Sequence, residues 1–238
     1  MLEPGATFKA KYAGICAACR GSHLENIKVG DEMVWYSSQE VYHWDCRPTG
    51  MEPKPDELQQ EGYLFIDLET GGLNEREDGI VQVALITTSN NLLIKQTWSS
   101  LILPPHHLGI GQKAIEVHGW TREKLKDAGA LSEQEVMEDL LMLYMSFPDH
   151  RFAGYNCPFD LKFLDQGFKR CGINVTPWLM PPFDLLVDAR KKLRNKTANH
   201  KLGTVAKHYG FNTDNAHDAL CDLFLTVSAA RFLQGEAA

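Results

Sequence analysis

Three strand-type segments follow one another in the middle of the chain, and they constrain its fold more than any other feature. The first is a short apolar segment at 63–67. A β-branched segment at 80–88 and a third segment at 93–103 then pair across a turn at 89–91. Helical segments follow them and alternate with a further short strand at 151–155. This order predicts an α/β fold in which helices flank one mixed sheet.

The helical segments carry recognisable start and stop signals. Ser132 and Glu135 form a capping box at the start of one helix, and Gly172 ends the next. Helices are predicted at about 158–171, 184–193, 200–209 and 218–233. These helices would supply the layers that cover the sheet.

A change of composition near residue 50 divides the chain. Residues 51–61 belong to a stretch that is rich in proline and poor in large apolar side chains, so we assign them to a linker. The linker separates an N-terminal module at 1–50 from a main domain at 62–238. With 44% hydrophobic residues in 238, the chain can bury a sizeable core. Its net charge of −7 excludes a generic polyanion binder, because nucleic acid would require bound cations or a local basic patch.

The sequence predicts a cytoplasmic protein with no membrane partner. No apolar run reaches the roughly 18 residues that span a bilayer. The first residues also lack a continuous apolar segment of signal-peptide type. The cysteines fit a reducing compartment, because three of the six cluster as a metal site would require, at Cys16, Cys19 and Cys46.

Two carboxylates lie at the end of the first strand, in the segment FIDLETGG. Asp67 and Glu69 are two residues apart, so on a strand they project from the same face. Like charges at this separation repel, and a hard divalent cation such as Mg²⁺ resolves that conflict. An isolated pair of this kind is more often solvated at a strand end.

A third carboxylate lies on a predicted helix in the segment YNCPFDLKFL. Asp160 shares a side of that helix with Phe163, Leu164 and Phe168, where an unpaired charge is costly. Metal binding is one explanation. An acid that complements the helix dipole in a first turn, after a cap at Asn156, is an equal alternative.

The last candidates lie in the segment AHDALCD. His217 and Asp222 are five residues apart, so on one helix they would turn through about 500° and face different directions. They converge only if His217 lies in the loop or first turn, and Asn215 is a possible cap that favours this. The alternative is a capping-region histidine beside a solvent-facing acid.

Taken together, these three segments resemble the DEDDh exonucleases, the family of the proofreading subunit of bacterial DNA polymerase III. FIDLETGG, YNCPFDLKFL and AHDALCD match its three motifs in order, and the resemblance covers about residues 61–236. Weaker matches lie between them, at 114–120, 184–190 and 201–211. A histidine in the third motif, where other relatives have tyrosine, is typical of the His subgroup.

The resemblance implies a ribonuclease H-like fold and 3′→5′ hydrolysis of nucleic acid with two Mg²⁺ or Mn²⁺ ions. It assigns the metal ligands to Asp67, Glu69, Asp160 and Asp222, and the catalytic base to His217. It further implies substrate contacts by four residues, Leu68, Thr70, His118 and Asn156. The expected partners are 3′ ends of nucleic acid and a DNA polymerase or replication complex. DNA is favoured as the substrate, and RNA stays open as an alternative.

A separate metal site is predicted in the N-terminal module. Cys16 and Cys19 form one close pair and His43 and Cys46 another, which is the ligand set of a closed tetrahedral Zn²⁺ site. About 50 residues bury little core, so the metal would stabilise the module. The module loosely resembles Cys-Cys-His-Cys zinc modules of the poly(ADP-ribose) polymerase type, which suggests that it binds nucleic acid. Docking to a protein and a purely structural role stay open.

Two other functions compete with the exonuclease. The chain could be a nucleic-acid-binding or polymerase-docking protein whose catalytic fold no longer works, although five intact polar groups argue against this. It could also be a small-molecule phosphodiesterase, or an oligoribonuclease-like enzyme that clears very short RNA. The N-terminal module argues against both, because such small substrates need no second binding site.

Overall fold

The computed structural model describes residues 62–147, 150–173, 182–214 and 217–235, together with five short strands within residues 7–43. Those strands are β1 (Thr7–Lys9), β2 (Gly14–Ile15), β3 (Asn26–Ile27), β4 (Glu32–Ser37) and β5 (Glu40–His43). They form a three-stranded sheet in the order β1-β4-β5 and a separate pair of β2 with β3.

The predicted zinc ligands lie outside the residues whose side chains the structure describes. Cys16, Cys19 and Cys46 are not among the described residues, and only the backbone of His43 is described, in β5. The linker predicted at 51–61 is also outside them. The zinc site and the domain boundary therefore stay predictions.

A six-stranded mixed sheet forms the centre of the main domain. Its strands are β6 (Gly62–Thr70), β7 (Ile80–Ser89), β8 (Ile94–Leu103), β9 (Leu131–Ser132), β10 (His150–Gly154) and β11 (Phe183–Asp184). Their order across the sheet is β11-β10-β6-β7-β8-β9. The pairs β6–β7 and β7–β8 are antiparallel, whereas β10 runs parallel to β6. The predicted mixed sheet is confirmed.

Seven helices cover this sheet within the described residues. They are α1 (Gln112–His118), α2 (Arg122–Asp127), α3 (Glu133–Ser146), α4 (Cys157–Arg170), α5 (Leu185–Lys192), α6 (Leu202–His208) and α7 (Ala219–Gly235). The capping box of Ser132 and Glu135 is present at the start of α3. The sequence did not predict α1 and α2, because α1 buries none of its residues and α2 buries only Leu125.

Two hydrophobic layers lie on opposite faces of the sheet. Leu64 and Ile66 pack with α3 and α4, whereas Phe65 packs with α5, α6 and α7. This alternation follows from the two-residue period of a strand, and it places Asp67 and Glu69 on the face that α7 covers. None of the described helices has the length and hydropathy needed to cross a lipid bilayer.

Candidate active site

The carboxyl end of β6 is the base of the candidate site. Asp67 lies opposite Ala84 of β7 and Glu69 opposite Gln82, and the register shifts just after Glu69. Such an irregularity re-aims the side chains beside it. Asp67 is half-buried and Glu69 is buried, so these two carboxylates are not the freely solvated pair that a strand end usually carries.

The glycine after this strand has a steric role. A Cβ atom on Gly71 would lie 2.1 Å from the carbonyl oxygen of Gly109. The backbone N–H of Gly71 donates to Gly79, and its carbonyl accepts from Gly111. Only glycine allows this close approach, which holds the loop after β6 against the segment that leads into α1.

Asp160 reaches the same site from the opposite layer of the fold. Because β10 is parallel to β6, the helix that follows β10 begins at the carboxyl edge of β6. Asp160 lies in the first turn of this helix and is only 4% exposed. Its Oδ1 accepts a hydrogen bond from the Leu68 N–H at 3.2 Å. The buried side chain thus joins α4 to β6.

His217 and Asp222 converge because His217 precedes α7. Its φ of 75° turns the chain before the helix begins. The His217 N–H donates to Asp222 at 3.2 Å. Glu69, His217 and Asp222 each present one ligand atom within 4.8 Å of the others. His217 therefore lies in the loop before α7, which is the position that the sequence required for His217 and Asp222 to converge.

Asp218 caps the start of α7, although the sequence pattern did not indicate it. Asp218 Oδ1 accepts from the Cys221 N–H at 3.0 Å, and the other oxygen accepts from Gln82 Nε2 at 2.8 Å. Gln82 also accepts from the Ala219 N–H at 3.2 Å. The predicted cap, Asn215, lies outside the described residues. The signal that was missed is a glutamine in the apolar strand IVQVALITT, because a buried amide requires partners.

Burial and repulsion oppose ionisation of the cluster. Burial, followed by the charges of Asp160 and Asp222, raises the pKa of Asp67 well above its usual value. Burial likewise raises the pKa of Asp160, against the hydrogen bond from Leu68, and it raises the pKa of Asp222. The pKa of Glu69 rises to about 7, chiefly through burial and then through Asp222.

The charge and the chemical type of these carboxylates both suit divalent cations. Oxygen ligands that repel one another in a half-buried cluster are stabilised when positive charge lies between them. Carboxylate oxygens are also the ligands that Mg²⁺ and Mn²⁺ prefer. Glu69 and Asp222 lie together with His217 as such a donor group. Asp67 and Asp160 are outside that group, but their charges act on the same cluster.

Three of the four predicted substrate contacts line one open cavity beside the carboxylates. Its volume is about 690 Å³, and Leu68, Thr70 and His118 contribute to its wall together with Glu69. His118 Nδ1 accepts from the Trp120 N–H at 3.0 Å, and burial lowers the pKa of His118. The cavity has the size and mixed lining of a small-ligand site.

Asn156, the fourth predicted contact, lies apart from that cavity. Its backbone has a φ of 66°, and its N–H donates to Asp184 Oδ1 at 2.8 Å. It precedes α4 as predicted, but its side chain makes no capping hydrogen bond, so the cap expected there is wrong. Asn156 lines a second groove instead.

Comparisons with known proteins found a matching family and several relatives. Residues 64–229 match the model of the exonuclease family RNase_T. The DNA polymerase III PolC-type of Bacillus cereus is 30% identical over 165 residues, which are 69% of this chain and 11% of that protein. The corresponding polymerase of Lacticaseibacillus paracasei is 29% identical over 218 residues, which are 91% of this chain. The chain thus spans only 14% of the length of this second polymerase.

The fold is also shared with a solved structure. Escherichia coli exonuclease I, in complex with a dA16 oligonucleotide, has a TM-score of 0.66 and 22% identity. The match covers 74% of this chain and 41% of that one. At this identity the likeness concerns the fold, and it confirms the mixed sheet with flanking helices that the sequence predicted.

Proposed function

The chain belongs to the exonuclease family RNase_T, and on this premise we propose that it is a metal-dependent 3′→5′ exonuclease of the DEDDh type. One observation carries the proposal. Glu69 of β6 and Asp222 of α7 lie within 4.8 Å of His217, beside an open cavity of about 690 Å³. Asp160 of α4 is hydrogen-bonded to the Leu68 N–H, and its charge raises the pKa of Asp67. Neither a solvated strand end nor a helix cap accounts for this convergence.

The four carboxylates would hold two Mg²⁺ or Mn²⁺ ions. Asp67 would be the central ligand, since it lies close enough to Asp160, Asp222 and Glu69 for their charges to raise its pKa. Bound cations supply positive charge that polarises the scissile phosphate and stabilises the attacking and leaving oxygens. The buried Asp160 is held by the Leu68 N–H, so the protein keeps this oxygen ligand in position without the ion.

His217 would accept the proton of the attacking water. Its side chain is exposed beside Glu69 and Asp222, where water can reach it. A neutral imidazole is a suitable general base near physiological pH. The hydrogen bond from its backbone N–H to Asp222 fixes the loop that carries it. The bond that breaks joins phosphorus to the 3′ oxygen of the shortened strand, so the product is a 5′-mononucleotide.

The terminal nucleotide would occupy the cavity beside Glu69. Leu68 and Thr70 are the residues that come directly after Asp67 and Glu69 on β6. His118, at the end of α1, lines the same cavity. A substrate of DNA, single-stranded at its 3′ end, is supported by the DNA polymerases and by the oligonucleotide complex among the related proteins. Association with a polymerase or replication complex is part of this proposal.

The N-terminal module would bind one structural Zn²⁺ through Cys16, Cys19, His43 and Cys46. Two close pairs of thiolate and imidazole ligands support it, and reduced thiols suit the cytoplasmic location predicted from the sequence. Zinc released by acid denaturation of the purified protein tests this directly. One ion per chain is expected, and a chain with no zinc that folds normally would contradict it.

Product analysis tests the exonuclease proposal. A single-stranded DNA incubated with Mg²⁺ should yield 5′-mononucleotides on chromatography, and EDTA should abolish their release. Asp67→Asn keeps the shape of the side chain and should also abolish it, whereas Asp127→Asn, an exposed acid at the end of α2, should not. Intact DNA under all conditions would favour a non-catalytic binding protein, and release from short RNA alone would favour an oligoribonuclease-like enzyme.

A further inference from the structure

A strongly basic segment stands out in this acidic chain. Residues 190–208 contain seven of the 24 lysines and arginines and none of the 31 aspartates and glutamates. The segment covers the end of α5, the following loop and all of α6. Because the rest of the protein is acidic, this concentration of basic residues gives it a local region that attracts a polyanion.

Part of this segment lines a defined groove. Arg190, Asn199, His200 and Lys201 contribute to a cavity of about 500 Å³, and Asn156 closes its other side. The groove thus combines two cations with amide and imidazole groups. These are the donors that bind phosphate and sugar oxygens of a nucleic-acid backbone.

The two cations are available to a ligand. The ion pairs between described residues are Lys162–Glu75, Lys169–Asp165 and Arg170–Glu133. Neither the Arg190 nor the Lys201 side chain takes part in an ion pair or a hydrogen bond within the described chain, and both residues are exposed. Their charge is therefore not neutralised by a direct partner among these residues.

The loop beneath them is already ordered by hydrogen bonds. The Tyr155 hydroxyl, at the end of β10, donates to the carbonyl of His200. Asn199 Oδ1 accepts from the Lys201 N–H at 3.0 Å and from the Thr204 hydroxyl at 2.8 Å. A groove that is organised before binding loses less conformational entropy when the ligand arrives.

The groove and the nucleotide cavity both reach the start of α4. Asn156, the residue before this helix, lines the groove, and Phe159, in its first turn, lines the cavity. Asp160 follows Phe159 in that turn and accepts a hydrogen bond from the Leu68 N–H. A strand whose last nucleotide occupies the cavity would therefore leave the site toward Arg190 and Lys201.

We propose that this groove binds the sugar-phosphate backbone of single-stranded nucleic acid on the 5′ side of the scissile bond. The inference rests on the proposed function, because that function supplies the direction of the strand. It assigns to Arg190 and Lys201 a role in holding long substrates, separate from the hydrolysis itself.

Binding of two oligonucleotide lengths tests the groove. Fluorescence anisotropy in Mg²⁺, with phosphorothioate strands that resist hydrolysis, compares a trinucleotide with a 12-nucleotide strand. Arg190→Gln/Lys201→Gln should weaken binding of the longer strand by about tenfold and leave the trinucleotide nearly unaffected. The salt slope for the longer strand should fall by about 1.4, that is about 0.7 for each phosphate that the variant no longer neutralises.

A matched variant controls for net charge. Lys95→Gln/Lys126→Gln removes two exposed cations, one from β8 and one from α2. In the sheet, β8 lies three strands away from β10, which ends at the groove, so this variant should leave both affinities unchanged. If the groove variant binds the longer strand as well as this control does, the inference is overturned. Hydrolysis of the trinucleotide in Mg²⁺ tests the proposed function separately: groove-dependent binding without hydrolysis would overturn that function alone.

Discussion

At the scale of single residues, the stability of the metal-free protein should depend on pH through the site carboxylates. The pKa of Glu69 is about 7 in the folded chain, against an ordinary value of 4.5. A raised pKa means that the folded state holds the proton more tightly. The stability it contributes is therefore full below about 4.5 and is lost as the pH rises through about 7.

This gives a prediction for unfolding in EDTA. The free energy of unfolding should fall between pH 4.5 and pH 7, with a contribution from Glu69 on the order of 3 kcal/mol. Glu69→Gln, which cannot ionise, should make that fall shallower, and saturating Mg²⁺ should stabilise the wild type more at pH 8 than at pH 5. Urea titrations at each pH measure this. A free energy that rises across the same window would contradict the raised pKa of Glu69, and so the burial and repulsion that cause it.

His217 should affect the rate of hydrolysis more than the fold. Its side chain is exposed, so His217→Ala removes no buried contact. We expect kcat to fall by about 10²- to 10⁴-fold, as is typical when a general base is removed. Steady-state rates in saturating Mg²⁺ and urea titrations of the wild type and the variant provide the measurement. An unchanged kcat would assign the proton transfer to another group.

At the scale of elements, a buried ion pair joins α3 and α4, which pack on the same face of the sheet. Arg170 of α4 makes two hydrogen bonds to Glu133 of α3, at 2.6 and 3.0 Å, and a third to the Glu75 carbonyl at 3.2 Å. Glu133 is only 4% exposed. Because Arg170→Ala leaves a buried carboxylate without its partner, it should cost about 3–5 kcal/mol of unfolding free energy.

The exposed pair of Lys169 with Asp165, on the same helix, is the control. Lys169→Ala should cost about 1 kcal/mol or less, because solvent screens that pair. Chemical denaturation of both variants gives the comparison. Equal losses would mean that burial does not determine the contribution of the Arg170 pair.

A second element-scale prediction concerns how β7 holds the start of α7. Gln82 is 6% exposed and bonds both Asp218 and Ala219. Gln82→Leu should lower stability by about 1–3 kcal/mol, because it leaves buried polar groups unpaired. It should also lower kcat, because the loop that carries His217 loses its anchor. Gln96→Leu, at an exposed position of β8, should change neither quantity. A Gln82 variant with normal kcat would limit this residue to a structural role.

Local patterns in the sequence predict most of the elements but not all of the contacts at the site. The capping box of Ser132 and the strand pair across 89–91 are local, and both are present. The helices α1 and α2 were missed because they bury almost nothing and so lack an apolar period. The link from Gln82 to Asp218 joins residues 136 positions apart, which no local pattern reveals.

At the scale of the whole molecule, the proposed function requires an acidic protein to bind a polyanion. The net charge of −7 opposes binding of nucleic acid, and ionised carboxylates at the site add to that repulsion. Divalent cations would reverse the sign of the charge there, and the basic segment at 190–208 would attract the rest of the strand. Both features are consistent with a substrate that enters by its end.

The most direct test of the central claim is the direction of digestion. One single-stranded DNA is labelled at its 5′ end in one sample and at its 3′ end in another, and both are digested with Mg²⁺ and resolved on a sequencing gel. We predict that the 3′ label is released at once as a mononucleotide, while the 5′ label moves down a regular ladder, and that Asp160→Asn stops both. A 3′ label retained in shortening fragments, or cuts scattered along the strand, would contradict the proposed 3′→5′ exonuclease.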